Sequence, residues 1–221
     1  MGYNNENARR IVFDIETAPL PDAGDYLEPA EAPANYKDPA KIAAAIAEKN
    51  AENLSKCGVD VDLCRIVAIG WQGEGGAGSF MVKEAQWEQD ALRWFWTEVG
   101  DKHLIGFNCL GFDLPVLLRR SLYLGVPTPS IQIDKFKHPQ VTDLMQVLSF
   151  NGAIKFRGLS FYAKRFGLDV PDTLTGADIA QAVAEGRWDA VESHVRADVQ
   201  KTALLASRLG VFHQQPAEMA L

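Results

Sequence analysis

Arg9-Arg10-Ile11-Val12-Phe13-Asp14-Ile15-Glu16 is the stretch on which the fold turns. Its apolar, β-branched run predicts a buried strand carrying two carboxylates near its end. The strand period of two places Asp14 and Glu16 on one face. Burying unpaired carboxylates costs on the order of several kcal/mol each, so the pair implies a cation, either a basic side chain or a metal. Arg10 lies roughly 13 Å from Asp14 along an extended chain, too far for a salt bridge. Hard oxygen donors of this kind suit a divalent ion.

Downstream, prolines at 19, 21, 29 and 33 among small and acidic residues predict an irregular excursion. Asp38-Pro39 then has the form of a helix start, with helix formers to about Lys56. This reads as an insertion between strands. Arg65 to Trp71 and Ser79 to Lys83 are further strands, joined by Gly73-Glu-Gly-Gly-Ala-Gly78. Those glycines connect two strands and lack a following Lys-Ser/Thr, so they form a hairpin turn and not a phosphate loop. Trp87 to Val99 has helical spacing, with Leu92, Phe95, Trp96 and Val99 as core.

A strand at 103–107 follows, then helices over 111–124, 143–149, 158–166, 178–184 and 188–209, with Gly125 as a stop after the first. Without a repeat or linker, the chain is expected to be one α/β domain over 1–221. Its core spans about 9–209, its inserted segment about 18–62 and its tail about 211–221.

The 221 residues are 47% apolar and 23% charged with a net charge of −7, the balance of a soluble globular protein. A domain of this size buries roughly 70% of its unfolded surface, enough for a core without staples. Cys57, Cys64 and Cys109 are an odd set behind no charged-then-apolar leader, so free thiols and a cytoplasmic location are expected. The Cys57–Cys64 spacing is too wide for a zinc knuckle. No apolar run approaches the roughly 18 residues of a membrane span.

Net acidity speaks against a polyanionic partner, but the charge is uneven: 1–113 carries −9, 114–166 carries +6 and 167–221 carries −4. The central segment reads either as a docking surface for a polyanion or as ordinary solvated faces.

Two further acids stand out. Asp113 follows Asn108-Cys-Leu-Gly-Phe112 at a helix start, where the helix dipole alone favours a carboxylate. His194 and Asp198 are four apart and share a helix face, as a surface pair or as part of a site.

In order and spacing these segments resemble the DEDD superfamily of 3′–5′ exonucleases. Asp14-Ile-Glu16-Thr17 is similar to its first motif, Asn108-x-x-x-Phe112-Asp113 to its second and His194-x-x-x-Asp198 to its third. Stand-alone exonucleases related to the proofreading domain of family-B DNA polymerases, often found in phage-like contexts, are the nearest likeness. It spans about 9–209. The resemblance implies a ribonuclease H-like fold, a mixed central sheet flanked by helices, with an inserted helix between the first two strands.

It also implies that Asp14, Glu16, Asp113 and Asp198 hold two divalent cations, Mg²⁺ or Mn²⁺, with Asp14 bridging both. Thr17, Asn108 and Phe112 match positions that contact or frame the substrate strand, although Phe112 reads equally as core. Asp143 matches a recurrent feature and is expected to cap a helix. In the superfamily the water-orienting group is a tyrosine four residues before the last aspartate or a histidine five before it. Here His194 stands at the tyrosine spacing with histidine chemistry, suited to a general base.

The implied activity is metal-dependent hydrolysis of DNA from single-stranded or frayed 3′ ends, with the basic segment tracking phosphates and Phe136, Phe156 and Tyr162 available for stacking. RNA as substrate, a non-catalytic nucleic-acid-binding module, and a replication or recombination partner stand as alternatives.

Overall fold

The computed structural model describes residues 9–134 and 137–211. Five strands form one sheet: β1 (Arg10–Pro19), β2 (Cys64–Gly73), β3 (Gly76–Met81), β4 (His103–Gly106) and β5 (Val141–Asp143). Their order is β3-β2-β1-β4-β5. The hairpin β2–β3 and the pair β1–β2 are antiparallel, whereas β4 and β5 run parallel to β1. Among the described residues seven α-helices accompany them: α1 (Pro39–Lys56), α2 (Trp87–Val99), α3 (Asp113–Leu124), α4 (Leu144–Leu148), α5 (Leu159–Phe166), α6 (Ile179–Ala184) and α7 (Trp188–Arg208). No helix among the described residues is long and apolar enough to cross a membrane.

Both faces of the sheet are covered, and the strand alternation decides which helix meets which residue. Ile11, Phe13 and Ile15 of β1 join Leu104 of β4 and the apolar sides of α2 and α3 in the main core. Val12, Ile105 and Leu144 face the other way, against Val199, Leu205 and Ala206 of α7. Asp14 and Glu16 therefore share the α7 side with Val12.

The β1–β2 register shifts at Glu16/Thr17, where β2 holds one extra residue. Its consequence is visible in the packing. Val67 and Ala68 both face α6 and α7, while Ile66 and Ile69 on either side face the main core. Such bulges bend a strand and re-aim side chains beside functional sites.

Gly70 sits opposite Asp14 in that ladder. A Cβ there would lie 2.9 Å from methyls of both Val195 and Val199. The missing side chain lets α7 approach the sheet at the level of Asp14.

Asp38 caps α1 by accepting from the Ala40 amide, with Pro39 as the first helical residue, but no α1 side chain is buried. The helix over 111–124 begins at Asp113, because residues 108–112 form a turn closed by the Gly111 and Phe112 amides on the Asn108 carbonyl. The three cysteines are free and buried.

Arg120 is not on the basic face that its place in 114–166 suggested. It is buried, and its Nε and Nη2 donate to Glu88 Oε1 and Oε2 at 2.8 and 2.7 Å. Glu88 Oε1 also accepts the Ile66 amide at 2.9 Å, tying α2, α3 and β2 into one knot. Removing one partner strands a buried charge, whereas replacing both with apolar groups does not. Glu88→Ala is expected to lower the unfolding free energy by about 3–5 kcal/mol in urea titrations. The pair Glu88→Leu/Arg120→Met should recover most of that loss, and equal losses in the single and double variants would refute the assignment.

Candidate active site

The site forms where β1 outruns its neighbour. β4 pairs with β1 only from Arg10 to Val12, so the later β1 amides on that side lack a strand partner. Asp113, the first residue of α3, fills the gap: its Oδ1 accepts the Ile15 amide at 3.2 Å. Asp113 is thus placed by β1 itself, next to Asp14 and Glu16. The turn before it is held by Asp143, which is buried and accepts the amides of Asn108 and Leu110 at 2.9 and 3.0 Å. Asp143 also caps α4 through Met145 and Gln146, the expected capping role with a second function added. Asn108 adopts a left-handed φ of 59°, one of the few places where asparagine suits the backbone better than most residues.

From the opposite side α7 brings His194, Asp198 and Lys201. His194 is buried, and its Nε2 lies 3.5 Å from Glu16 Oε1 and 4.0 Å from Asp198 Oδ2. Its Nδ1 lies 2.9 and 3.0 Å from the two oxygens of Asp172. An ionised carboxylate only accepts, so the proton of a neutral imidazole is on Nδ1 and the Nε2 lone pair faces Glu16 and Asp198. The four-residue spacing to Asp198 thus puts the ring on the acidic face of α7, one turn before the aspartate.

Lys201, also buried, reaches Asp172 Oδ2 at 2.5 Å and Asp198 Oδ1 at 2.8 Å. Burial alone would lower its pKa, but its hydrogen bonds to Asp172 and Asp198 outweigh that and raise it. The Asp172 carboxyl is conversely held below its usual range, burial being outweighed by the hydrogen bonds from Lys201 and His194.

The acids are undercompensated. Burial pushes the Asp14 carboxyl well above the ordinary range, Asp113, Glu16 and Asp198 push it further, and Lys201 only partly opposes them. Glu16 is raised in the same way by burial and by Asp198, Asp113 and Asp172. Burial pushes Asp113 up to about 7, despite the hydrogen bonds from its own amide and that of Ile15. Asp14, Glu16, Asp113 and Asp198 come from β1, α3 and α7, and the charge of Asp198 helps to raise the carboxyls of the other three. Clustered, oxygen-only and short of positive charge, they have the donor chemistry of a divalent-cation site.

Asp172, His194 and Asp198 can also place one donor atom each within 4.8 Å of one another. Both Asp172 oxygens already accept from His194 and Lys201, which makes Asp172 a better anchor for the ring than a ligand.

Of the expected substrate-contacting residues, Thr17 is buried and its hydroxyl donates to the Gly58 carbonyl at 2.6 Å, fastening the inserted segment to β1. Phe112 is partly buried against the main core. Phe136 lies outside the described residues. Tyr162 is packed against Phe107 with ring centroids 6.2 Å apart, and so is no free stacking surface.

Sequence reasoning missed Asp172 and Lys201. Lys201 had a signal, three residues after Asp198 on one helix face. Asp172 had none, since it lies in a loop and meets His194 only through the tertiary fold.

The fold is shared with a solved structure of the family B DNA polymerase from the hyperthermophilic archaeon Pyrobaculum calidifontis, at a TM-score of 0.62 and 20% identity. That match covers 91% of this chain and 24% of the polymerase, so the chain spans about a quarter of that protein's length. The mixed sheet and its helices are accordingly ribonuclease H-like, as the resemblance implied. No curated protein matches. Residues 59–218, more than half of the chain, match the family described as predicted 3′–5′ exonuclease related to the exonuclease domain of PolB; the stretch contains Asp113, His194 and Asp198 and begins after β1. The chain therefore belongs to this family of predicted 3′–5′ exonucleases.

Proposed function

We propose that the chain is a divalent-metal-dependent 3′–5′ exonuclease that removes nucleotides from single-stranded or frayed DNA ends. The observation that carries this reading is the gathering of Asp14, Glu16, Asp113 and Asp198, with His194 Nε2 turned towards Glu16 and Asp198. The four acids are the groups that would hold a pair of divalent ions, Mg²⁺ or Mn²⁺. Such a pair supplies positive charge to offset the substrate phosphate and the leaving 3′ oxygen during in-line displacement.

The chain's own contribution is positioning and proton handling. Glu16 and Asp113 are buried, whereas Asp14 and Asp198 remain partly exposed and mark the open side by which a strand end would enter. His194 takes a proton from the attacking water at Nε2. Its Nδ1–H stays on Asp172, which orients the ring and steadies the imidazolium once formed. Lys201 holds Asp172 and Asp198 in place together, so that base and ligand keep a fixed relation. Asn108, on the turn leading into Asp113, would frame the terminal nucleotide.

Incubation with 3′- and 5′-labelled single-stranded DNA and RNA, with Mg²⁺, Mn²⁺ or chelator, tests the reading directly. Stepwise loss from the 3′ end is expected, abolished by chelator and by Asp14→Ala. Cleavage that survives both would refute it. His194→Ala should lower the rate constant about 10²- to 10⁴-fold, the usual contribution of a general base. Asp172→Asn should lower it less, because the ring loses its orientation and not its basic nitrogen. Full activity of His194→Ala would remove the base assignment.

The raised carboxyls also fix the sign of a pH effect. Below about pH 4 they are protonated whether folded or unfolded, and carry no penalty. As pH rises the unfolded chain ionises first, so stability falls until the folded groups ionise, at about 7 for Asp113. The metal-free protein should melt at a higher temperature at pH 5.5 than at pH 8. Saturating Mn²⁺ should remove most of that difference, and Asp113→Asn should reduce it. A metal-free protein equally stable at both pH values would show that the cluster is not electrostatically strained.

A further inference from the structure

One surface remains outside the mechanism. The 24 residues from Leu144 to Gly167 contain Lys155, Arg157, Lys164 and Arg165 and no acid, in a chain whose net charge is −7. The same stretch exposes Phe150 (70%), Phe156 (46%) and Phe161 (42%). Aromatic rings left in water beside uncompensated cations are the composition of a face that meets a polyanion carrying flat apolar groups.

Two features show that this face is built. Phe150 and Asn151 are successive non-glycine residues with φ of 53° and 55°, followed by Gly152 at 82°. A bulky residue in the left-handed region is costly and persists only when its surroundings fix it. Here they do: the Asn151 amide donates to the Gln146 carbonyl at 2.8 Å, the Ile154 amide to the Ser149 carbonyl at 3.0 Å and the Gly152 amide to the buried Ser149 hydroxyl at 3.1 Å. The turn holds the Phe150 ring outward. Gly152, at a φ that L side chains rarely adopt, completes the turn beside the Phe156 ring.

The second feature is continuity with the site. Phe107, next to Asn108, packs on Tyr162, and Tyr162 packs edge-on against Phe161 at 5.3 Å. The guanidinium of Arg157 lies over Phe161, 4.9 Å from its centroid. A row of rings thus leads from the turn that places Asp113 to the basic face, and Asp143 fixes both that turn and the start of α4.

We infer that this face, with Phe150, Phe156 and Phe161 as stacking platforms and Arg157, Lys164 and Arg165 as phosphate contacts, binds the single-stranded nucleic acid that continues from the 3′ nucleotide in the site. The inference rests on the exonuclease reading for its direction, but the binding can be measured apart from it. Stacking tolerates any base and the contacts to phosphate need no 2′-hydroxyl, so the face takes DNA and RNA alike.

The test uses the full chain in chelator, where no cleavage occurs, with 5′-fluorescein-labelled 12-mers of DNA and of RNA read by anisotropy. Phe150→Ala/Phe161→Ala should weaken binding at least tenfold. Arg157→Gln/Lys164→Gln/Arg165→Gln should weaken it and flatten the slope of log affinity against log salt by about 2, because each phosphate neutralised on a single strand adds about 0.7 to that slope. With Mn²⁺, the p-nitrophenyl ester of thymidine 5′-monophosphate, too short to reach the face, should be hydrolysed by both variants as by the wild type.

Wild-type affinity retained in both variants overturns the inference, including the case in which the face serves a protein partner instead. A wild-type protein that binds the 12-mers through these residues but hydrolyses neither substrate overturns the exonuclease reading alone.

Discussion

A strand that is apolar on one side and bears two carboxylates on the other cannot be buried without help, and the rest of this structure answers that constraint. Ile11, Phe13 and Ile15 demand the α2/α3 layer. Asp14 and Glu16 then necessarily face α7, where Val12 is already packed. An apolar helix placed there would leave both acids unpaired in a poor dielectric. Instead α7 carries Lys201 and His194 at the level of the acids, and Gly70 removes the side chain that would hold it away. The bulge at Val67 and Ala68 fits the strand to the helices on the same face. Each device is local, and each makes sense only because β1 has acids on its inner side.

The compensation is nevertheless incomplete. Lys201 is shared between Asp172 and Asp198 and opposes only part of the repulsion felt by Asp14 and Glu16. Elsewhere in the molecule a buried acid is treated differently. Glu88 receives both arms of Arg120 and an amide, a closed arrangement that needs nothing further. The contrast separates a closed structural ion pair from an open cluster: the same chain gives Glu88 a full set of partners and leaves Asp14, Glu16 and Asp113 together with raised pKa values and little positive charge beside them. Local rules broken without an internal remedy are where function is to be sought.

That contrast also explains what could be read from the sequence. Strands β1 and β2, the hairpin turn, the Asp38-Pro39 helix start and α7 were legible because periodicity and capping are local signals. The candidate acids were legible as an ordered set of motifs, though each motif alone was compatible with a helix dipole or a surface pair. Asp172 was not legible, because a lone aspartate after a proline carries no pattern and its meeting with His194 is purely tertiary. Arg120 was misplaced for the same reason. Its neighbours in sequence are basic, but its partner Glu88 is on another helix.

Charge follows the same logic. A net −7 counted over the chain says little about a polyanionic partner once acids and bases are placed. With Arg120 withdrawn into the core and Arg119 beside Asp62, the basic character of 114–166 contracts to the later part of that segment. Acids concentrated at a cleft do not repel a phosphate if cations occupy the cleft first. Cations do not enter unless the carboxylates are left short of internal partners. Under the proposed function the undercompensated cluster and the acid-free face from Leu144 to Gly167 are two halves of one electrostatic arrangement, in which the site would acquire its positive charge from solution and the strand would approach across a face that carries cations and no acid.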